Sequence, residues 1–301
     1  MSAGNSVFPL TGKAIAFSPK ISMMKKKLII NFTPTGLIPT RKMTPHVPIL
    51  PAEIVEQVNE AAAMGVNMVH LHAREPDTGL PTHKKDIYAG IIAGIRERNP
   101  DLLLCASTSG RIFNDFEKRS EVLDLDGDLK PDFGSLTLSS LNFNKQASVN
   151  DPEMIKGLAR KMLDRGIKPE LEVFDHGMVN YAHYLIDKGL LTPPYYFNLI
   201  LGNIACAQAN MLNLGLMIKE LPPDSFWSVG GIGRFQLPMN VAAITFGGGV
   251  RVGLEDNIWF DEERNQLATN RKLVERVILI AEALESKPYS ARELKEIFFT
   301  E

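Results

Sequence analysis

From Leu28 onward, short runs of β-branched and apolar residues alternate with longer stretches in which apolar residues recur at helical spacing. That alternation predicts repeated strand–helix units rather than separate blocks of strands and helices. Strands are expected at Leu28–Phe32, Met68–His72, Leu102–Ser107, Phe133–Leu136, Glu170–Phe174, Tyr196–Leu201, Phe226–Val229 and Val250–Gly253. Helices are expected near Pro51–Met64, Lys84–Arg98, Phe116–Leu123, Asp151–Arg165, Met178–Lys188, Ala207–Glu220, Pro238–Phe246 and Asn265–Leu284. A further add-on helix is expected over Tyr289–Phe299. The punctuation agrees. Asp151-Pro152 supplies a cap and a first-turn proline, and Gly65, Gly166 and Gly189 stop helices just before the next strand.

Eight strand–helix pairs over about 250 residues is the count of a (β/α)8 TIM barrel. An open doubly wound sheet also alternates strand and helix, but it stops at fewer strands and wants a glycine-rich turn after the first. Here Thr33-Pro34-Thr35-Gly36 follows instead. No low-complexity linker interrupts the pattern, so residues 28–301 are expected to form a single α/β domain. Residues 1–27, with Lys25-Lys26-Lys27 after Met23-Met24, place their charge on the wrong side of the apolar residues for a signal peptide. They are expected to be a flexible N-terminal extension, with a transit peptide as the weaker alternative.

Composition narrows the partners. Hydrophobic residues are 45% and charged residues 23% of the 301, enough apolar material for a large core. Lys plus Arg number 33 against 35 Asp plus Glu, a net charge of -2 that offers no field for nucleic acid. No apolar run is long enough to cross a bilayer, so no membrane partner is expected. The two cysteines, Cys105 and Cys206, both sit in apolar runs, which suits a reducing, cytoplasmic setting better than a disulfide framework.

In such a barrel the C-terminal strand ends converge on one mouth, and candidate chemistry belongs there. His70-Leu71-His72 ends the second strand, and residues two apart on a strand share a face. The pair fits either a shared metal ion or two buried, hydrogen-bonded histidines. Glu255, just past the eighth strand, favours the ion, because two histidines and a carboxylate leave coordination positions open for substrate. Glu172 on strand five and Arg251 and Asp256 around strand eight read as site residues, whereas Glu170, nearer its strand's start, reads as part of a structural ion-pair network. Ser107-Thr108-Ser109-Gly110-Arg111 forms a hydroxyl-rich turn suited to ligand binding, with no nearby histidine to make Ser107 a nucleophile. Gly230-Gly231-Ile232-Gly233-Arg234 reads as a phosphate cradle or a tight turn. His46, His83, His176 and His183 show no spacing signal.

Together these segments resemble the β-keto acid cleavage enzymes. The resemblance runs from about Leu28 to Leu284 and rests on VHLHARE (Val69–Glu75), ASTSGR (Ala106–Arg111), PELEVFDHGMV (Pro169–Val179), GGIGR (Gly230–Arg234) and VRVGLEDNIWF (Val250–Phe260). It implies a zinc-dependent barrel that condenses a β-keto acid with acetyl-CoA and releases acetoacetate plus a new acyl-CoA, working as a homo-oligomer, expected to be a tetramer. By the same resemblance His70, His72 and Glu255 would hold Zn²⁺, Ser107 would lie near substrate, and Glu172, Arg251 and Asp256 would manage protons. Asp256 is the expected base, with Ser107 stabilising developing oxyanion charge. Thr108, Gly110, Thr137, Arg234 and Ile38 complete the expected substrate-binding set.

Two departures shape the expected substrate. Ile38 stands roughly where members acting on amines carry an acid, which points to an uncharged or apolar tail. The loop Gly202-Asn203-Ile204-Ala205-Cys206-Ala207-Gln208 lacks the proline- and glycine-rich form of the founding enzyme, so no CoA contact is assigned to it, and the CoA phosphates are expected at Gly230–Arg234. Arg41 fits either a clamp for a dicarboxylic substrate or a solvated loop residue. The competing readings are a metal-dependent aldolase or hydrolase without CoA, and a barrel that only binds a metabolite.

Overall fold

The computed structural model describes residues 27–300, so the extension read at the N-terminus lies outside the described residues apart from Lys27. Eight strands form a closed barrel: β1 (Ile30–Phe32), β2 (Met68–Leu71), β3 (Leu103–Ala106), β4 (Phe133–Thr137), β5 (Lys168–Val173), β6 (Tyr195–Leu201), β7 (Ser225–Gly231) and β8 (Gly249–Val252). Each pairs in parallel with its sequence neighbours, and β1 closes the ring on β8 with Asn31 opposite Arg251. All eight expected strands are present with small shifts at their ends. Strands so placed need helical crossovers, and these are α1 (Pro51–Ala63), α2 (Lys85–Arg98), α3 (Phe116–Ser120), α4 (Pro152–Asp164), α5 (His176–Asp187), α6 (Met211–Glu220), α7 (Gln236–Thr245) and α8 (Asn270–Ala283). Asp151 caps α4 through the backbone N–H groups of Glu153 and Met154. No helix among the described residues is long and apolar enough to cross a membrane.

Three helices are shorter than their periodicity suggests, and competing hydrogen bonds explain two of them. The segment Ala207–Asn210 is not helical, because the Ala207 N–H donates to the Phe174 carbonyl and sews this loop to the end of β5. Asn210 then caps α6. The stretch Asn265–Ala268 likewise stays extended: Leu267 pairs with Trp259, and Thr269 caps α8. The third, α3, tightens into a 3-10 turn over Glu121–Asp124. Two short ribbons, Ala73–Arg74 with Pro81–Thr82 and Leu141–Asn142 with Ala147–Ser148, lie beyond the ends of β2 and β4.

The C-terminal helix α9 (Ala291–Phe299) is a plug rather than an appendage. Its Leu294 and Phe298 are buried against Ile29, Met68, Leu103, Phe133 and Tyr196, residues at the start of their strands. The barrel floor is therefore apolar and closed, and polar side chains fill the interior above it. Asn31, His70, Glu170, Asn198, Ser228 and Arg251 are all essentially inaccessible.

Candidate active site

The mouth is assembled from β2, β5 and β8. The pleat sends His70 and His72 to one side, and their Nε2 atoms face each other at 3.2 Å. Glu255, carried in by the turn after β8, brings Oε1 to 3.2 Å from His72 Nε2. The facing nitrogens and the carboxylate lie within 4.8 Å of one another, so the set could hold a metal ion. Gly36 makes room for this geometry: a Cβ there would lie 2.5 Å from Glu255 Cγ, and the residue adopts φ +64°.

Beneath the pair, Glu170 Oε2 lies 2.5 Å from His70 Nδ1, and Oε1 accepts from the side-chain amides of Asn31 and Asn198 at 2.5 and 2.8 Å. Cys105 donates its thiol to Glu170 at 2.9 Å. Burial pushes that thiol well up and the Glu170 charge pushes it further. His70, Cys105 and Glu170 are also close enough to share an ion. Their atoms already satisfy one another in a fully buried layer, however, whereas the His70–His72–Glu255 set keeps free valences toward the mouth.

Electrostatics favour a cation at the upper set. Burial alone would lower both imidazoles. At His70 the Glu170 and Glu255 carboxylates outweigh it and hold the pKa up to about 9, while His72 stays lowered. Glu255 Oε2 is buried with no partner among the described residues. Four carboxylates, the buried Glu170 and Glu172 and the largely buried Glu255 and Asp256, crowd two imidazoles and Arg251, an excess of negative charge that a divalent ion would offset. The donor set, two nitrogens and one oxygen, suits zinc.

Arg251 organises the rest. Its Nε donates to Asp256 Oδ2 at 2.7 Å, one Nη donates to Glu255 at 2.8 Å, and the other lies 3.7 Å from Glu172 without a hydrogen bond. Glu255 is thereby held well below the usual carboxylate range in spite of its burial. Asp256 is pushed up by burial, against the pull of Arg251 and with the help of Glu255 beside it. Burial also raises Glu172, whose Oε2 accepts from the Thr137 hydroxyl at 2.6 Å.

The remaining expected residues divide. Ser107 and Thr108 border a narrow cavity beside His72, which Leu37, Tyr88, Ser109 and Arg119 also line. Ser107 Oγ accepts from the Ser109 N–H at 3.3 Å, which leaves its own proton available. The Thr108 hydroxyl is committed to the Ser135 carbonyl at 2.5 Å. Gly110 is a packing glycine, since a Cβ there would lie 2.4 Å from the Val149 carbonyl oxygen. Ile38 is 43% exposed, and its neighbour Leu37 is the one that faces the cavity. The glycine run ends β7 and turns into α7, with the Gly233 N–H on the Asp256 carbonyl and Arg234 resting over the Phe235 ring. Arg41 is an exposed residue paired with Glu53 through both carboxylate oxygens.

Sequence reasoning passed over the layer that supports His70. Glu170 reads there as a structural ion pair, and Asn31, Cys105, Asn198 and Tyr196 carry no motif. The available signal was register: Glu170 and Glu172 share a face, and Tyr196 and Asn198 sit opposite them on β6.

The family model described as beta-keto acid cleavage enzyme matches residues 27–299. A 3-keto-5-aminohexanoate cleavage enzyme of Fusobacterium nucleatum is 36% identical over 277 residues, covering 91% of this chain and 98% of that protein. A 3-dehydrocarnitine:acetyl-CoA trimethylamine transferase of Rhizobium meliloti is 30% identical, over 90% of this chain and 96% of the relative. A 3-oxoadipate:acetyl-CoA acetyltransferase of Cupriavidus necator is 32% identical, over 86% and 90%. Among solved structures the apo form of ObcA superposes with a TM-score of 0.73 at 22% identity, and the match spans 84% of this chain and 65% of that one. That likeness speaks for the barrel alone.

Proposed function

The chain belongs to the beta-keto acid cleavage enzyme family, and from that premise we propose that residues 28–301 form one catalytic unit that exchanges acyl groups between a β-keto acid and acetyl-CoA. The products are acetoacetate and a new acyl-CoA. The observation that carries the reading is the Asp256 carboxylate, fixed by Arg251 at 2.7 Å beside the His70–His72–Glu255 set at the barrel mouth. The names of the relatives, which pair β-keto acids with acetyl-CoA, support the same reaction class.

His70, His72 and Glu255 would hold the metal, proposed to be Zn²⁺. A zinc ion there supplies Lewis acidity that makes a proton next to a carbonyl easier to remove. Asp256 takes that proton from the carbon between the ketone and the carboxylate, and its raised affinity for protons suits a base working near neutrality. Arg251 orients the Asp256 oxygens and offers its unbonded Nη to developing negative charge. The carbanion attacks the acetyl thioester carbonyl and expels the CoA thiolate. The thiolate then attacks the original ketone carbon and the neighbouring C–C bond breaks, so the acyl fragment leaves as its CoA ester and acetoacetate recovers the proton. Ser107, with its proton free, steadies the oxyanions. Thr137 holds Glu172 in the same wall.

Gly230–Arg234 is the proposed contact for the CoA phosphates. Ile38 and the apolar Leu37 offer no counter-charge to an ammonium tail, so 3-keto-5-aminohexanoate is expected to be a poor substrate. On α6, Met211, Leu212 and Leu216 are exposed, Leu212 and Leu216 one turn apart, and a second copy would cover them in the proposed homo-oligomer, a tetramer. A charged residue at Leu212 should lower the mass seen by light scattering. Both cysteines are free, which suits a cytoplasmic protein.

The deciding experiment measures acetoacetate from a panel of β-keto acids, with and without acetyl-CoA, using zinc-loaded and chelated protein. Product that needs both zinc and acetyl-CoA supports the reading. Turnover without the thioester would replace it with an aldolase or a hydrolase.

A further inference from the structure

Arg111 is an anomaly at the rim of the mouth. The other buried or half-buried arginines among the described residues are engaged: Arg74 with the Gly36, Pro39 and Gly79 carbonyls, Arg119 with Thr108, Val149 and Asn150, Arg251 with carboxylates. Arg111 has no carboxylate partner, its guanidinium donates no hydrogen bond, and its Nε is buried and unsatisfied. A half-buried cation left open in this way calls for a ligand.

Its orientation is nevertheless fixed. The guanidinium carbon lies over Phe143, 3.6 Å from the ring centroid, and Phe143 in turn packs edge-on against Phe174 just past β5. The Arg111 N–H donates to Ser109 Oγ, its carbonyl accepts from Gln146, and Gly110 is wedged against Val149 and Arg119. Arg111 follows β3 by five residues and is tied to Ser109, which with Ser107 and His72 lines the narrow cavity at the mouth, so its place in the chain keeps it at the end of the barrel that carries the metal-binding set. A planar fork with its edge free matches a carboxylate better than a point charge would.

We propose that Arg111 anchors the distal carboxylate of the keto acid, so that the substrate class is a β-keto dicarboxylic acid. The inference rests on the reading of the site as a β-keto acid exchanger. It also moves the dicarboxylate clamp from Arg41, which is paired with Glu53, to a residue that is not paired. It replaces the uncharged tail expected from Ile38 with an anionic one that avoids Ile38.

The test compares wild type, Arg111→Lys and Arg111→Met on a matched pair, a β-keto dicarboxylic acid and its ω-methyl ester, with acetyl-CoA and acetyl-pantetheine as alternative acyl donors. Isothermal titration of the diacid into the zinc-loaded protein gives a readout independent of turnover. Loss of a charge-assisted pair should raise the diacid-to-ester KM ratio about 10- to 100-fold in Arg111→Met, with partial recovery in Arg111→Lys. An equal change for diacid and ester would overturn the inference. So would an effect seen with acetyl-CoA but not acetyl-pantetheine, which would assign Arg111 to a CoA phosphate. If no keto acid turns over but the diacid binds wild type and not Arg111→Met, the anchor stands and the proposed reaction falls.

Discussion

Glu170 holds His70 by its Nδ1 at 2.5 Å, and this contact fixes which nitrogen of the imidazole is left for a metal. With Nδ1 committed to the carboxylate, Nε2 turns to the mouth and meets His72. Carboxylate partners of this kind orient metal-binding histidines, and their loss costs about 10- to 100-fold in metal affinity. Glu170→Gln should therefore bind zinc about 10- to 100-fold more weakly in a chelator competition while its far-ultraviolet dichroism stays that of the wild type. Unchanged affinity would reduce Glu170 to a structural residue.

Asp256 and Ser107 are assigned different tasks, and kinetics can separate them. Asp256→Asn keeps the shape and a hydrogen bond to Arg251 but removes the base, so kcat should fall about 10²- to 10⁴-fold with zinc content unchanged. Ser107→Ala removes one oxyanion donor and should cost about 10²- to 10³-fold in kcat. The discriminating measurement is exchange of the α-proton of the keto acid with solvent deuterium in the absence of acetyl-CoA. Asp256→Asn should abolish this exchange, and exchange at the wild-type rate would remove Asp256 from the role of base.

The barrel was legible because apolar periodicity and turn chemistry are local signals. Asp151-Pro152 and Gly166 mark their boundaries within a few residues whatever the rest of the chain does. The mouth was legible in part, because His70 and His72 share a face by strand geometry alone and Glu255 follows the last strand. Its support was not, since Glu170, Asn31 and Asn198 come from three strands and meet only through the register of a closed ring. Helix ends failed where a tertiary hydrogen bond claimed the backbone first, as the Phe174 carbonyl claims Ala207. Sequence offers Arg41 as a clamp or a solvated loop residue and Arg111 as the end of a hydroxyl-rich turn suited to ligand binding, which leaves the choice of clamp open. Pairing separates them: Glu53 neutralises one, and an aromatic ring holds the other open.

Gly36 ties the loop after β1 to the metal-binding set. A Cβ there would lie 2.5 Å from Glu255 Cγ, and φ +64° adds backbone strain for any other residue. Arg74 pins the same loop by donating to the Gly36 carbonyl from two of its nitrogens, so the loop cannot simply lift away. Gly36→Ala is expected to displace Glu255 and lower zinc occupancy, read by metal analysis of dialysed protein. An occupancy equal to wild type would show that the loop has slack that these contacts do not reveal.

Phe298 bears on whether the floor and the mouth are one cooperative unit. It is 3% exposed and packs edge-on against Phe133 and Phe226, each with ring centroids 5.2 Å away, so truncation leaves a cavity under the strand starts. Phe298→Ala should cost about 3–5 kcal/mol of unfolding free energy by urea titration. Two of the strands that begin on this floor, β2 with Met68 and β6 with Tyr196, carry His70 and Asn198 two residues later. Loosening the floor should therefore weaken zinc binding although no ligand is touched. A Phe298→Leu variant, which keeps most of the volume, should restore both properties together. If stability falls while zinc affinity holds, the polar layer around Glu170 keeps its geometry without help from α9.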